Sequence, residues 1–208
     1  MKAQPNSVAV IASRTLSAPT SGTLPSYHRS RITTAISRFC GPANIIGNDA
    51  LASVAQKNLE EVGGFTMSDT EKEFALEMQK TLSIDTMPSL DQSHLVEPLR
   101  PVDLNAPSAS TDVGDVSWTV PTIGFTTATF VPGVAPHTWQ ATASAGMSIG
   151  QEGMVVASKA LALTAIDLFA TPSLVQAAQA DFNRKLAGKT YRTFIPEGQK
   201  PPINYRNN

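Results

Sequence analysis

From Asn48 onward the chain alternates between amphipathic and wholly apolar stretches. Leu51, Val54, Ala55, Leu59 and Val62 recur at helical spacing behind Asn48, a residue suited to an N-cap. Gly63-Gly64 ends that helix, because glycine accepts the left-handed backbone that a helix terminus needs. Ser68-Asp69-Thr70-Glu71 has capping-box spacing and predicts a second helix with Phe74, Met78 and Leu82 on one face. Each apolar face requires another layer to cover it.

Residues 83–109 read as a linker, because Pro88, Pro98, Pro101 and Pro107 exclude a long helix. Residues 113–120 and 122–131 read as strands, the second with Ile123 and Phe125 alternating against Thr122 and Gly124. Pro121 stands at the start of that strand. Pro132-Gly133 turns the chain, and Ala135-Pro136 presents His137 at a strand end. Residues 141–149 are small and polar. Residues 150–170 are apolar nearly all round, the pattern of a helix buried among several layers. Thr171-Pro172 opens a last helix with Leu174, Val175, Ala178 and Phe182 on one face, and Gly188 closes it. The tail, residues 191–208, is irregular.

Residues 1–40 are unlike the rest. Serine and threonine recur throughout, Pro5, Pro19 and Pro25 break any helix, and apolar patterning does not extend beyond residues 8–12. Arg14, Arg29, Arg31 and Arg38 occur with no acidic residue before Asp49. Three origins fit: a transit peptide, a polar tail that never orders, or a start that lies outside the fold through a misread or truncated frame. The composition favours the latter two.

Charged residues make up 16% of the chain, against about a quarter in an average soluble domain, so part of the surface expects a partner. After the basic start the body is mildly acidic, which argues against nucleic acid as a partner. The apolar run 154–170 carries Lys159 and Asp167 and reads as too short and too charged to span a membrane. Cys40 is the only cysteine, so neither an internal disulfide nor a cysteine-based zinc site can form. It reads as an incidental thiol, and the expected location is the cytoplasm.

His137 is the strongest chemical candidate, since neutral imidazole is a common zinc ligand. Taken alone it is a weak signal. Asp112 and Asp115, with Thr111 beside them, could orient a ligand histidine from outside the metal's own shell, or contact substrate. Asp112 equally suits a turn cap, and Asp115 a plain surface position. His94, between Ser93 and Leu95, reads as a solvated loop residue, and Glu60-Glu61 as a solvated helix face. Trp118 and Trp139 read as core or pocket wall, with nothing in the sequence to support stacking. Two-metal hydrolysis needs several further ligands and a general base, and no His-x-Asp pair occurs.

Residues 110–118 (Ser-Thr-Asp-Val-Gly-Asp-Val-Ser-Trp), Pro121-Thr122, His137-Thr138-Trp139-Gln140, residues 146–150 and residues 157–169 together resemble the metal-dependent aminoacylase and carboxypeptidase-like amidohydrolases. Residues 58–63 (Asn-Leu-Glu-Glu-Val-Gly) extend the likeness, which covers about residues 41–188. It implies an α/β fold, here the C-terminal half of a zinc-peptidase-like catalytic domain with a short mixed sheet flanked by helices. Residues 41–190 are then a partial catalytic domain, between an irregular or unrelated start (1–40) and an irregular tail (191–208). The implied activity is hydrolysis of an amide such as aminobenzoyl-glutamate or a dipeptide, with two zinc or manganese ions. His137 corresponds to one metal ligand, and Thr111, Asp112 and Asp115 lie behind it or on the substrate side. The family's other ligands and its glutamate base have no counterpart here. The expectation is therefore a chain inactive by itself. The rival expectation is a non-catalytic or split subunit that docks on a partner supplying the remaining ligands.

Overall fold

The computed structural model describes residues 9–14, 44–99, 111–193, 195, 197–200 and 203. The architecture mixes α and β and is mostly helical. Strand β1 (Ala9–Arg14) runs parallel to β2 (Thr122–Thr127), with Ala9 opposite Thr122 and Arg14 opposite Thr127. Gly47 bridges to Thr122 as well. Residues 9–14 thus enter the sheet although they fall in the segment expected to be irregular. Cys40 and His28 lie outside the described residues.

Helix α1 (Asp49–Val62) begins as its sequence dictates. The Asn48 carboxamide oxygen accepts the Leu51 N–H, and Gly63 ends the helix with φ 71°. Helix α2 (Asp69–Gln79) has the full capping box: Ser68 Oγ accepts the Glu71 N–H while Glu71 accepts the Ser68 N–H at 2.8 Å. A 3-10 turn follows at Leu90–Ser93 inside the expected linker.

Three stretches differ from expectation, one of them the strand read over 122–131, since β2 ends at Thr127. Residues 113–117 form a short helix, α3 (Val113–Ser117), not a strand. Val113 and Val116 favour extended chain, but Ser117 Oγ turns back onto the Gly114 carbonyl at 2.6 Å and also accepts the Ile46 N–H. Those side-chain bonds outweigh a modest β preference. Residues 139–146 form helix α4 (Trp139–Gly146), capped by Thr138, whose Oγ1 accepts the Ala141 N–H at 3.1 Å. The described residues accordingly contain two parallel strands rather than a mixed sheet. β2 shows the expected alternation from Ile123 onward, with Ile123 and Phe125 buried and Gly124 and Thr126 exposed, but Thr122, expected on the polar face, is buried.

Helix α5 (Ser148–Ala170) joins both halves of the core. Ile149, at its start, packs with Phe65, Met67, Met78, Val131 and Val134. Ala160, further along, packs with Leu51, Ala55, Ile123, Phe125 and Ala178. The last of these belongs to α6 (Pro172–Leu186). Each large apolar side chain buried here contributes roughly 1.5–3 kcal/mol. The expectation that α5 is buried all round fails. Its inward face is made of small residues, Gly150, Gly153, Ala160 and Thr164, which let neighbouring backbone approach closely. Met154 and Ile166 (each 59% exposed) and Phe169 (89%) face outward. Starting at Ser148, the helix has 23 residues and is long and apolar enough to cross a membrane by length and composition, so the argument from shortness does not hold.

Candidate functional site

His137 sits in the turn that leads into α4, with φ 61°, in the left-handed region that non-glycine residues seldom occupy. The turn is tied at three points. Thr138 Oγ1 donates to the Ala135 carbonyl at 2.8 Å, and it also caps α4. Gln140 Nε2 donates to Thr81 Oγ1 at 3.3 Å, fastening the turn to the end of α2. Gly133 packs within 3.1–3.2 Å of Ile84, Leu82 and Pro88 when its missing Cβ is considered, and its φ of 93° suits glycine. The imidazole is exposed.

Thr111, Asp112 and Asp115 belong to a different anchorage. Thr111 Oγ1 accepts the Val113 N–H at 3.3 Å and so begins α3, whereas the Asp112 side chain makes no capping bond. Asp112 is exposed; Thr111 and Asp115 are half-buried. Trp118 Nε1 donates to the Asn44 carbonyl at 2.8 Å, and with the Ser117–Ile46 bond this holds α3 against residues 44–46, beside the start of β2. The His137 turn hangs from Thr81 instead. No hydrogen bond or ion pair among the described residues joins His137 to Asp112, and no group of three His, Cys, Asp or Glu among them could hold a metal ion. One imidazole does not fit the two-metal centre that the resemblance implies.

Two carboxylates are held below their usual range. Glu71 is lowered first by the Ser148 hydroxyl, then by the Ser68 N–H, against an opposing effect of burial. Partial burial pushes Asp181 up, but the Asp49 N–H at 2.7 Å and the Arg184 and Lys185 cations outweigh it. Lys185 also reaches Asp49 at 2.7 Å and the Gly47 carbonyl at 2.8 Å, so this cluster ties α6 to the start of α1. Both carboxylates join elements of the fold.

A groove of about 540 Å³ opens at the carboxyl end of β2, lined by Phe65, Leu95, Val96, Phe125, Phe130 and Val156 among others. It includes none of the candidate chemical residues Thr111, Asp112, Asp115 and His137. Residues 146–150 (Gly-Met-Ser-Ile-Gly) have the Gly-x-Ser-x-Gly spacing of a hydrolase nucleophile. That motif needs a strand before the serine. Here α4 precedes it, and Ser148 is the first residue of α5, donating its hydroxyl to Glu71. It is a structural serine. Trp139 is a residue whose surroundings the sequence does not reveal: it stands 62% exposed at the first position of α4, outside both core clusters. Its exposure follows from a helix that the small residues 141–146 do not announce.

No protein-family model matches the chain, and no solved structure matches it. Among curated proteins it is 31% identical to a p-aminobenzoyl-glutamate hydrolase subunit of Escherichia coli (strain K12) over 159 residues, 76% of this chain and 30% of that protein. It is 40% identical to the Xaa-Arg dipeptidase of Homo sapiens over 93 residues and to that of Mus musculus over 85, in each case 40% of this chain and 19% of the relative. The chain thus spans less than a third of the length of these relatives. Over three quarters of its residues the chain is similar to a hydrolase and, over a shorter stretch, to two dipeptidases, all acting on amide bonds.

Proposed function

We propose that this chain is the C-terminal half of a zinc-peptidase-like catalytic domain that hydrolyses an amide such as aminobenzoyl-glutamate or a dipeptide, in the cytoplasm. The likeness to the Escherichia coli hydrolase over 76% of the chain carries this reading. His137, exposed in a turn fastened at Ala135, Ala141 and Thr81, is the residue we assign to one of two zinc or manganese ions. His137 would hold such an ion, which would supply Lewis-acid chemistry to the amide. His137 would supply one ligand, and Thr111, Asp112 and Asp115 would lie behind it or beside the substrate. One imidazole does not make a metal centre. We assign the other ligands and the general base to the part of the family's length that this chain does not span, and the chain alone is then inactive.

A chimera tests this. Residues 41–188 replace the matching segment of the Escherichia coli hydrolase, and zinc- or manganese-dependent release of aminobenzoate is measured. Activity that disappears on His137→Ala supports the proposal. A folded chimera without activity, or metal-dependent hydrolysis by the present chain alone, overturns it.

A second reading rests on the outward face of α5, where Met154, Ile166 and Phe169 are exposed. There the chain is a split subunit that docks through α5 on a partner supplying the missing ligands. The word "subunit" in the relative's name agrees with it. Metal recovered with a co-purified complex, and absent from the chain alone, would favour this arrangement.

A further inference from the structure

Helix α5 has two unlike faces. The inner one is committed to the fold. The Asn58 carboxamide of α1 donates to Thr164 Oγ1 at 3.3 Å and to Asp167 Oδ2 at 3.0 Å, and Ala160 packs with Leu51, Ile123 and Ala178. Insertion of α5 into a bilayer would break those bonds, so a lipid surface is the poorer occupant for the outer face. That outer face is a stripe of Val155, Ser158, Ala162, Ile166 and Phe169, all exposed. Between Met154 and Ala170 the charged residues are Lys159 and Asp167; neither stands on the stripe, and Asp167 is bonded to Asn58. Ser158 is the polar member of the stripe. Its hydroxyl donates to the Met154 carbonyl of its own helix at 2.8 Å, so covering it with apolar surface leaves no donor unpaired. The stripe is also balanced about Ala162. Ser158 and Ile166 stand four residues to either side and Val155 and Phe169 seven, with small Ala162 at the centre.

We propose that the outer face of α5 pairs with the same face of a second copy of this chain, antiparallel, with the twofold axis beside Ala162. A twofold interface requires a patch that complements itself. In this arrangement residues equally far from Ala162 on opposite sides come to the same level. Ile166 of each copy then reaches the level of Ser158 of the other, where a small side chain leaves room for a large one, and Phe169 that of Val155. The paired alanines allow the helix axes to approach to about 8 Å, and antiparallel helices set their dipoles in the favourable sense. No charge on the stripe is brought against its own copy at the axis. From Val155 to Phe169 the stripe is about 21 Å long. An interface of that size lies at the small end of specific ones, below about 1,200 Å² in total, so the dimer is reversible and forms at micromolar concentration. This inference does not depend on the amidohydrolase reading, and it differs from docking on an unlike subunit.

The test follows the mass of the full chain in solution by light scattering, from micromolar to millimolar protein. The parent is expected to pass from one chain to two. Ala162→Glu sets two carboxylates together at the axis and should raise the dissociation constant about tenfold or more; Ala162→Lys should do the same, and an equimolar mixture of the two variants should recover the dimer. Because Ala162 is exposed, the melting temperature of either variant stays near that of the parent. Register is read separately with cysteines in a Cys40→Ser background. Under mild oxidation Ala162→Cys should give a disulfide-linked pair, whereas Met154→Cys should not, since the two copies of that position lie about 24 Å apart along the helices. This second measurement decides the matter if the charged variants fail to fold. A parent that stays a single chain at every concentration overturns the proposal, as does a dimer indifferent to both charges or equal cross-linking at the two cysteine positions. A single chain that binds phosphatidylcholine vesicles, or an unlike protein, through α5 overturns it in favour of that occupant.

Discussion

The Ser148 hydroxyl donates to Glu71 Oε1 at 2.5 Å, joining the first residue of α5 to the first turn of α2 across 77 positions of sequence. Ser148, with the Ser68 N–H, holds the Glu71 pKa below 4.5. A carboxylate lowered in the folded state stabilises the fold above its ordinary value, and that stabilisation is lost as pH falls through the folded value. Ser148→Ala should therefore lower stability at neutral pH and flatten the dependence on pH in the acid range below 4.5. Urea unfolding of parent and variant at several acid pH values measures both effects. An unchanged slope would mean that this bond does not set the acid limb.

Asn48 does two jobs at once. Its Oδ1 accepts the Leu51 N–H at 3.0 Å while its Nδ2 donates to the Ala178 carbonyl at 2.8 Å. Asn48→Asp preserves an N-cap of equal intrinsic quality but faces that carbonyl with a carboxylate. It should cost about 1–3 kcal/mol, the usual penalty for a buried partner left unsatisfied. Chemical denaturation reads this directly, and a neutral result would show that the α1–α6 bond contributes little.

Two glycines should respond oppositely to alanine. A Cβ at Gly153 would fall 2.0 Å from the Ala128 carbonyl oxygen and 2.8 Å from Thr129 Cγ2, so backbone must move. Gly153→Ala should destabilise by about 1–3 kcal/mol despite its better helix propensity. Gly146, at the end of α4, has nothing within 4 Å of such a Cβ. Gly146→Ala should stabilise by about 0.5–1 kcal/mol. The two melting temperatures, measured side by side, decide the matter.

His137→Gly should raise stability by about 1 kcal/mol, because glycine relieves the left-handed strain at φ 61°. In the active chimera the same change should abolish metal-dependent hydrolysis. A gain in stability coupled to loss of activity is the signature of a strained functional residue.

Phe169→Asp, at a side chain 89% exposed, should leave stability of the chain within about 0.5 kcal/mol of the parent. Static light scattering should show less self-association, because an apolar patch has been broken. Marked destabilisation would mean that Phe169 is packed in solution.

Local chemistry is readable in the sequence wherever side chain and backbone bond within a few residues. Asn48 and the Ser68–Glu71 box define the starts of α1 and α2, and both form as the spacing predicts. Ile123 and Phe125 likewise announce which face of β2 is buried. α3 looks like a strand because valine favours strands, while the bonds that bend it come from Ser117 and from distant Ile46. α4 escapes notice because Ala141, Ala143, Ser144 and Ala145 differ too little in polarity to show a period. For the site, His137 lies in an exposed turn just before α4 and not at a strand end, since β2 stops at Thr127, and its left-handed backbone lies beside the bonds of Thr138 and Gln140. The place of Trp139 depends on α4. Which neighbours α5 meets is a tertiary matter, and apolarity all round does not indicate that its small residues face inward.

The pairing of Ala9 with Thr122 has a kinetic consequence. The two strands are more than a hundred residues apart, and closing so long a loop is slow because much chain entropy is lost before any contact is gained. During synthesis the α1–α2 region can begin to organise while residues 9–14 still lack a partner, since Thr122–Thr127 has not yet emerged from the ribosome. Closure of this sheet is therefore expected among the last steps of folding, and until then the unpaired edge of each strand is open to wrong partners.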